Sequence, residues 1–179
     1  MSSPDRSPGI GRRAVLVGAL ALTLGGCLRP LYGPTASGAR MQDVLAEIEV
    51  DQIRTAVGQE RTGHYLRSEL IYNLDGSGRP RPKRFKAAIR LTESVQTPIV
   101  DTVTGRANSA TLLVTAVVAL TSLPDNTPVL TEVVTGTASY DRFAQRFANI
   151  RAARDAEIRL ANTLADQIRT RLAIALSNR

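Results

Sequence analysis

Between Phe85 and Tyr140 the chain alternates apolar and polar residues in three successive runs, and this repetition constrains its fold more than any other feature. Phe85, Ala87, Ile89, Leu91 and Val95 share one face of the first run, with Lys86, Ala88, Arg90, Thr92 and Ser94 on the other. The second run, Ala110 to Thr121, is apolar on one side and half apolar on the other, which predicts a strand inside a sheet. Pro124-Asp125-Asn126-Thr127-Pro128 turns the chain into a third run, Val129 to Tyr140, rich in Val and Thr.

The flanks follow two other rhythms. Val44, Ala46, Ile48 and Val50 alternate with Leu45, Glu47, Glu49 and Asp51, predicting a first strand over 44–53. Tyr65, Leu66, Leu70, Ile71 and Leu74 recur at three and four, predicting a helix over 59–74 that Asp75-Gly76-Ser77-Gly78 stops. A second helix runs from Phe143 or Ile150 to Leu176, with Ala161, Leu164, Ala165, Ile168, Leu172, Ala175 and Leu176 as its apolar stripe. Arg151, Arg154, Arg159, Arg169 and Arg171 lie on its wet side. The predicted fold is α+β, a two-layer sandwich in the order β-α-β-β-β-α. Its four-stranded, mostly antiparallel sheet is packed by two helices, with Phe85, Ile89 and Leu91 meeting Leu164, Ile168 and Leu172.

The N-terminus sets the compartment. Arg12-Arg13 precede an uncharged apolar run, Ala14 to Leu24, whose length of about 11 residues suits an export signal rather than the roughly 20 that span a bilayer. The run ends in Leu24-Gly25-Gly26-Cys27, and Cys27 is the chain's single cysteine. A lone exported thiol has no disulfide partner in its own chain, so acylation accounts for it better than bonding. The expected organisation is a signal peptide over 1–26, an acylated tether over 27–40 marked by Pro30, Gly33, Pro34 and Gly38, and one domain over 41–179. Without residues 1–26 the net charge falls from +7 to +5, carried almost wholly by arginine. An exported basic protein meets phosphorylated lipids rather than nucleic acid, although so small a charge also serves solubility alone.

Catalysis finds no footing. There is no nucleophile with a base, no glycine-rich phosphate loop, no metal spacing and no cofactor motif. His64 is the only histidine and cannot by itself assemble a triad or a zinc site. Glu47, Glu49 and Asp51 read as a solvated strand face rather than as metal ligands. The strongest candidate site is the basic run Arg79-Pro80-Arg81-Pro82-Lys83-Arg84 leading into Lys86 and Arg90. Arg81, Lys83, Arg84, Lys86 and Arg90 have no acid among them, Glu93 faces the other way, and guanidinium forks suit phosphate. The same cations also fit an edge strand protected from aggregation by its charge.

Leu24-Gly25-Gly26-Cys27 resembles a bacterial lipobox, and Cys27-Leu28-Arg29-Pro30-Leu31-Tyr32-Gly33 resembles the Cys-Gly-Phe-x-Pro-Leu-Tyr start of the LptE family in its alphaproteobacterial form. Phe147-Ala148 and Asp155-Ala156 at the head of the last helix extend the likeness over essentially the whole mature chain. Leu28 and Arg29 depart from the family's Gly and aromatic residue. The resemblance implies a non-enzymatic outer-membrane lipoprotein, anchored through lipid on Cys27 at the periplasmic side. It further implies assembly with the LptD β-barrel and help in placing lipopolysaccharide at the cell surface. Leu28 rather than Asp after the cysteine implies outer-membrane sorting, as in enterobacterial lipoproteins. The alternative is a lipoprotein accessory of a lipid-transporting ABC system.

Overall fold

The computed structural model describes residues 31–76, 78–79, 81–97, 103, 105 and 107–177. The export signal and Cys27 lie outside these, as do Leu28 to Pro30 of the tether. The order is α1 (Met41–Leu45), β1 (Ile48–Val50), α2 (Glu60–Asp75), β2 (Phe85–Gln96), β3 (Ser109–Ser122), β4 (Pro128–Asp141) and α3 (Arg146–Leu176). The strands form one sheet in the order β1-β2-β3-β4. β1 pairs with β2 in parallel and the other neighbours are antiparallel.

The alternation of the sequence becomes the two faces of this sheet. Phe85, Ala87, Ile89 and Leu91 of β2, the even-numbered residues from Ala110 to Leu120 of β3, and Val134 and Ala138 of β4 are buried against the helices. From the helices come Leu66, Leu70 and Leu74 of α2 and Leu160, Leu164, Ile168, Leu172 and Leu176 of α3. Each such side chain contributes about 1.5–3 kcal/mol on leaving water, which makes this layer the main source of stability. α3 rests on β4 and β3 and alongside α2, while α2 covers β1. The helices run parallel, because Arg61 pairs with Glu157 and Asn73 with Asp166. Gly136 brings α3 close to β4: a Cβ there would lie 2.7 Å from Leu160 Cδ1 and 3.1 Å from Leu164 Cδ2.

The predicted first strand is shorter than expected. Met41 and Leu45, four residues apart and both buried, put the start of that stretch into α1, and Arg40 Nε bridges its first turn to Asp43 Oδ2 at 3.1 Å. Only Ile48–Val50 is regular strand. The pairing then resumes after a bulge, since the Asp51 N–H donates to Ala87 O and the Arg54 N–H to Ile89 O. Val95, expected on the buried face of β2, is exposed because the strand outruns the helix layer there. At that point Gln59 substitutes for a strand partner, its amide bonding Glu93 O at 2.8 Å and the Glu93 N–H at 3.0 Å.

The two ends of the sandwich differ in what they hold. At the base, Leu31 packs on the core, the Arg169 guanidinium lies 4.7 Å from the Tyr32 ring centroid, and the Ala36 N–H donates to Ser177 O at 3.2 Å. The end of the tether is thus fastened to the C-terminal end of α3. The head of α3 lies at the opposite end, beside the close of β4.

Candidate functional site

The five cations singled out in the sequence lie along the base and the outer face of β2. Arg81 Nη2 is 2.8 Å from Asp43 Oδ1 and Lys83 Nζ is 3.0 Å from Asp75 Oδ2. Arg84 Nη1 meets Glu47 Oε2 at 3.3 Å, and Lys86 Nζ meets Asp51 Oδ2 at 3.0 Å. Lys83 also donates to Ala46 O at 2.7 Å. Four of the five therefore stitch the start of β2 and its approach onto α1, the residues flanking β1 and the end of α2. Glu47 and Asp51, read as a solvated face, supply two of these partners because β1 lies beside β2 in parallel. Lys86 holds the Asp51 carboxyl below the usual carboxylate range, helped by the Gln52 N–H at 2.8 Å.

Arg90 is different. It makes no salt bridge among the described residues and lies beside Arg54, which bridges it in parallel register across the sheet edge. Ala88, Val117 and Ala119 form the apolar floor of a shallow depression of about 310 Å³ next to this pair. Two like charges in direct register repel; the Asp51 carboxylate, paired with Lys86, lines the same depression and offsets part of that repulsion on the Arg54 side. The depression lies on the outer sheet face, where no helix covers Thr115, Val117, Val133 and Thr135 among the described residues.

A second basic surface escaped the sequence reading. From Arg142 to Arg154 the chain carries four arginines and no acid. Phe143, Phe147 and Ile150 within it are 53%, 71% and 48% exposed. The Asn149 side chain fixes the entry to α3 by accepting from the Phe143 N–H and donating to Phe143 O. Arg151 leans over the Phe147 ring at 5.8 Å, and Arg142, Arg146 and Arg154 enter no salt bridge among the described residues. The acid-free run is the signal for it in the sequence, where only Arg151 and Arg154 are expected on the wet side of the helix.

The remaining polar features are structural. Glu157, 7% exposed, accepts from Arg61 Nη2 at 3.0 Å and ties α2 to α3. Thr62 Oγ1 donates to Glu93 Oε2 at 2.7 Å. His64 is exposed on α2 with Tyr65 as its ring neighbour. No group of three or more His, Cys, Asp or Glu able to hold a metal ion occurs among the described residues. No helix among them is long and apolar enough to cross a membrane.

No curated protein sequence matches the chain. Among solved structures it resembles a protein of Caulobacter crescentus CB15 assigned as a lipoprotein, with a TM-score of 0.58 and 22% identity over 78% of this chain and 97% of that one. Protein XCC0632 of Xanthomonas campestris matches with a TM-score of 0.52 and 12% identity, over 72% of this chain and 84% of that one. At these identities the likeness is one of fold, and it agrees with the mixed sheet and helix layer described above. The LptE lipopolysaccharide-assembly family model matches residues 45–172, from the last residue of α1 well into the buried stripe of α3. With most of the sandwich inside that match, the chain belongs to the LptE family of non-enzymatic lipopolysaccharide-assembly proteins.

Proposed function

We propose that this protein is an outer-membrane lipoprotein, acylated on Cys27 and facing the periplasm, that assembles with an LptD-type β-barrel and contacts lipopolysaccharide. The observation that carries this reading is the family match over 45–172 in a chain whose N-terminus has the form of a lipoprotein signal ending in a lone cysteine. The fastening of Tyr32 and Ala36 to α3 supports it, because a tether fixed at one end of the sandwich would orient the domain on its anchor.

For the lipid contact, the reading takes Arg81, Lys83, Arg84, Lys86 and Arg90 as the anion-binding segment. Arg90 and the neighbouring Arg54 provide its part that enters no salt bridge among the described residues. Lipopolysaccharide carries phosphate on an apolar body, which suits two guanidinium groups beside an apolar floor. The test has two parts. Cells grown with labelled palmitate should incorporate it into the wild type and not into Cys27→Ser. Solubilised outer membranes should yield a large β-barrel with the tagged protein. Absence of label removes the anchor, and recovery of permease or substrate-binding components instead of a barrel favours an ABC-system accessory.

A further inference from the structure

We propose that the head of α3, with Arg142, Arg146, Arg151 and Arg154 around Phe143 and Phe147, is a docking surface for lipopolysaccharide. The proposal rests on the lipopolysaccharide contact put forward above and adds to the β2 segment a second place for it. Three observations lead there. The first is charge: the four arginines share 13 residues with no acid, whereas four of the five β2 cations are already opposed by carboxylates. Asp155, the next acid along α3, is held by Arg159 Nε at 2.8 Å, and Asp141 enters no salt bridge among the described residues.

The second is apolar exposure. Phe143, Phe147 and Ile150 are large side chains left in water within a rigid entry, since Asn149 clamps both polar backbone atoms of Phe143. A guanidinium and an aromatic ring alternating within a turn suit a ligand whose phosphates adjoin hydrocarbon. Inorganic phosphate would use only half of such a surface.

The third is position. α3 has 31 residues and is about 46 Å long, and the tether is fastened near its far end at Arg169 and Ser177. From Cys27 to Leu31 the chain can reach at most about 14 Å. An acyl group on Cys27 would therefore lie within about 14 Å of Leu31, at the end of the sandwich opposite the head of α3.

The experiment uses the full-length protein in non-ionic detergent, titrated with purified lipopolysaccharide, with phosphatidylglycerol in nanodiscs and with inorganic phosphate. Arg142→Ser/Arg146→Ser/Arg151→Ser should weaken lipopolysaccharide binding by about tenfold or more and flatten its salt dependence. Phe143→Ser/Phe147→Ser should also weaken it while keeping the salt dependence, and both variants should melt like the wild type. Inorganic phosphate should not compete at millimolar concentration. Unchanged binding in both variants overturns the proposal while leaving the lipopolysaccharide reading intact. A wild type that binds no lipopolysaccharide overturns both. Equal binding of phosphatidylglycerol would make the surface a general membrane contact. Loss of the co-purifying barrel with lipopolysaccharide binding retained would make it a protein interface. Either of these last two results also overturns the proposal.

Discussion

Two arginine-rich segments of this protein look alike in composition and differ in every physical respect. The segment entering β2 is stitched down: Arg81, Lys83, Arg84 and Lys86 each have a carboxylate at 2.8–3.3 Å, drawn from α1, the two residues flanking β1 and the end of α2. The segment opening α3 has arginines that enter no salt bridge among the described residues, and aromatic rings left in water. Cations that close an edge through local ion pairs contribute modestly to stability and meet a ligand only in competition with those pairs. Cations held apart from acids contribute almost nothing to stability and remain available. The lesson is that a basic run is a candidate site only after its neighbours in space have been counted.

The comparison can be broken at several points. The largest effect belongs to the body of α3, whose buried stripe must behave unlike its head. Ile168→Asp puts an unpaired carboxylate into the fully buried layer and should cost about 4 kcal/mol or more in denaturant unfolding. Phe147→Ser should change stability by no more than about 0.5 kcal/mol. If the two were similar, α3 would not be divided as described. Next is the close approach of α3 to β4. Gly136→Ala, meeting Leu160 and Leu164, should cost about 1–3 kcal/mol, and a neutral result would mean that this contact is loose.

A smaller effect separates the two basic segments directly. Arg81→Ala should cost about 0.5–1 kcal/mol, and a double-mutant cycle with Asp43→Ala should recover most of that as coupling. Arg146→Ala should leave stability within about 0.5 kcal/mol of wild type. The smallest is a titration. Asp51 ionises below the ordinary carboxylate range in the folded protein, so its stabilising share is present above that range and is lost as pH falls through its folded value. In Lys86→Met the Asp51 carboxyl should titrate closer to its ordinary value, read by carboxyl NMR. An unmoved midpoint would assign the shift to the Gln52 N–H and the Arg54 charge instead.

Much of the fold was legible because its signals are local. β2, β3 and β4 follow two-residue alternation over 12 to 14 residues, and α2 and α3 end within a residue or so of their predicted C-terminal limits. α1 was not legible, since Val44 to Val50 alternates well enough to look like strand throughout. The spacing of Met41 and Leu45 carried the competing helical signal. The site was harder for a different reason. Arg81 and Arg84 find their acids 38 and 37 residues away, and those pairings exist only because β1 lies beside β2. Sequence displays the cations and the acids as separate runs. Their cancellation is a property of the sheet.

The dominance of α3 over the inner face of the sheet has a consequence in time. β2, β3 and β4 are neighbours in sequence as well as in space and can associate early, whereas β1 must wait for the α2 crossover. The stripe from Leu160 to Leu176 is the last major part of the core to be synthesised. A nascent chain that has reached Asp141 holds all four strands, with the part of their inner face that α3 covers still bare and hydrophobic, a species prone to aggregate. Productive folding of this protein is thus gated by its final helix, and a chain shortened within that helix would fail as an assembly intermediate before any question of binding arose.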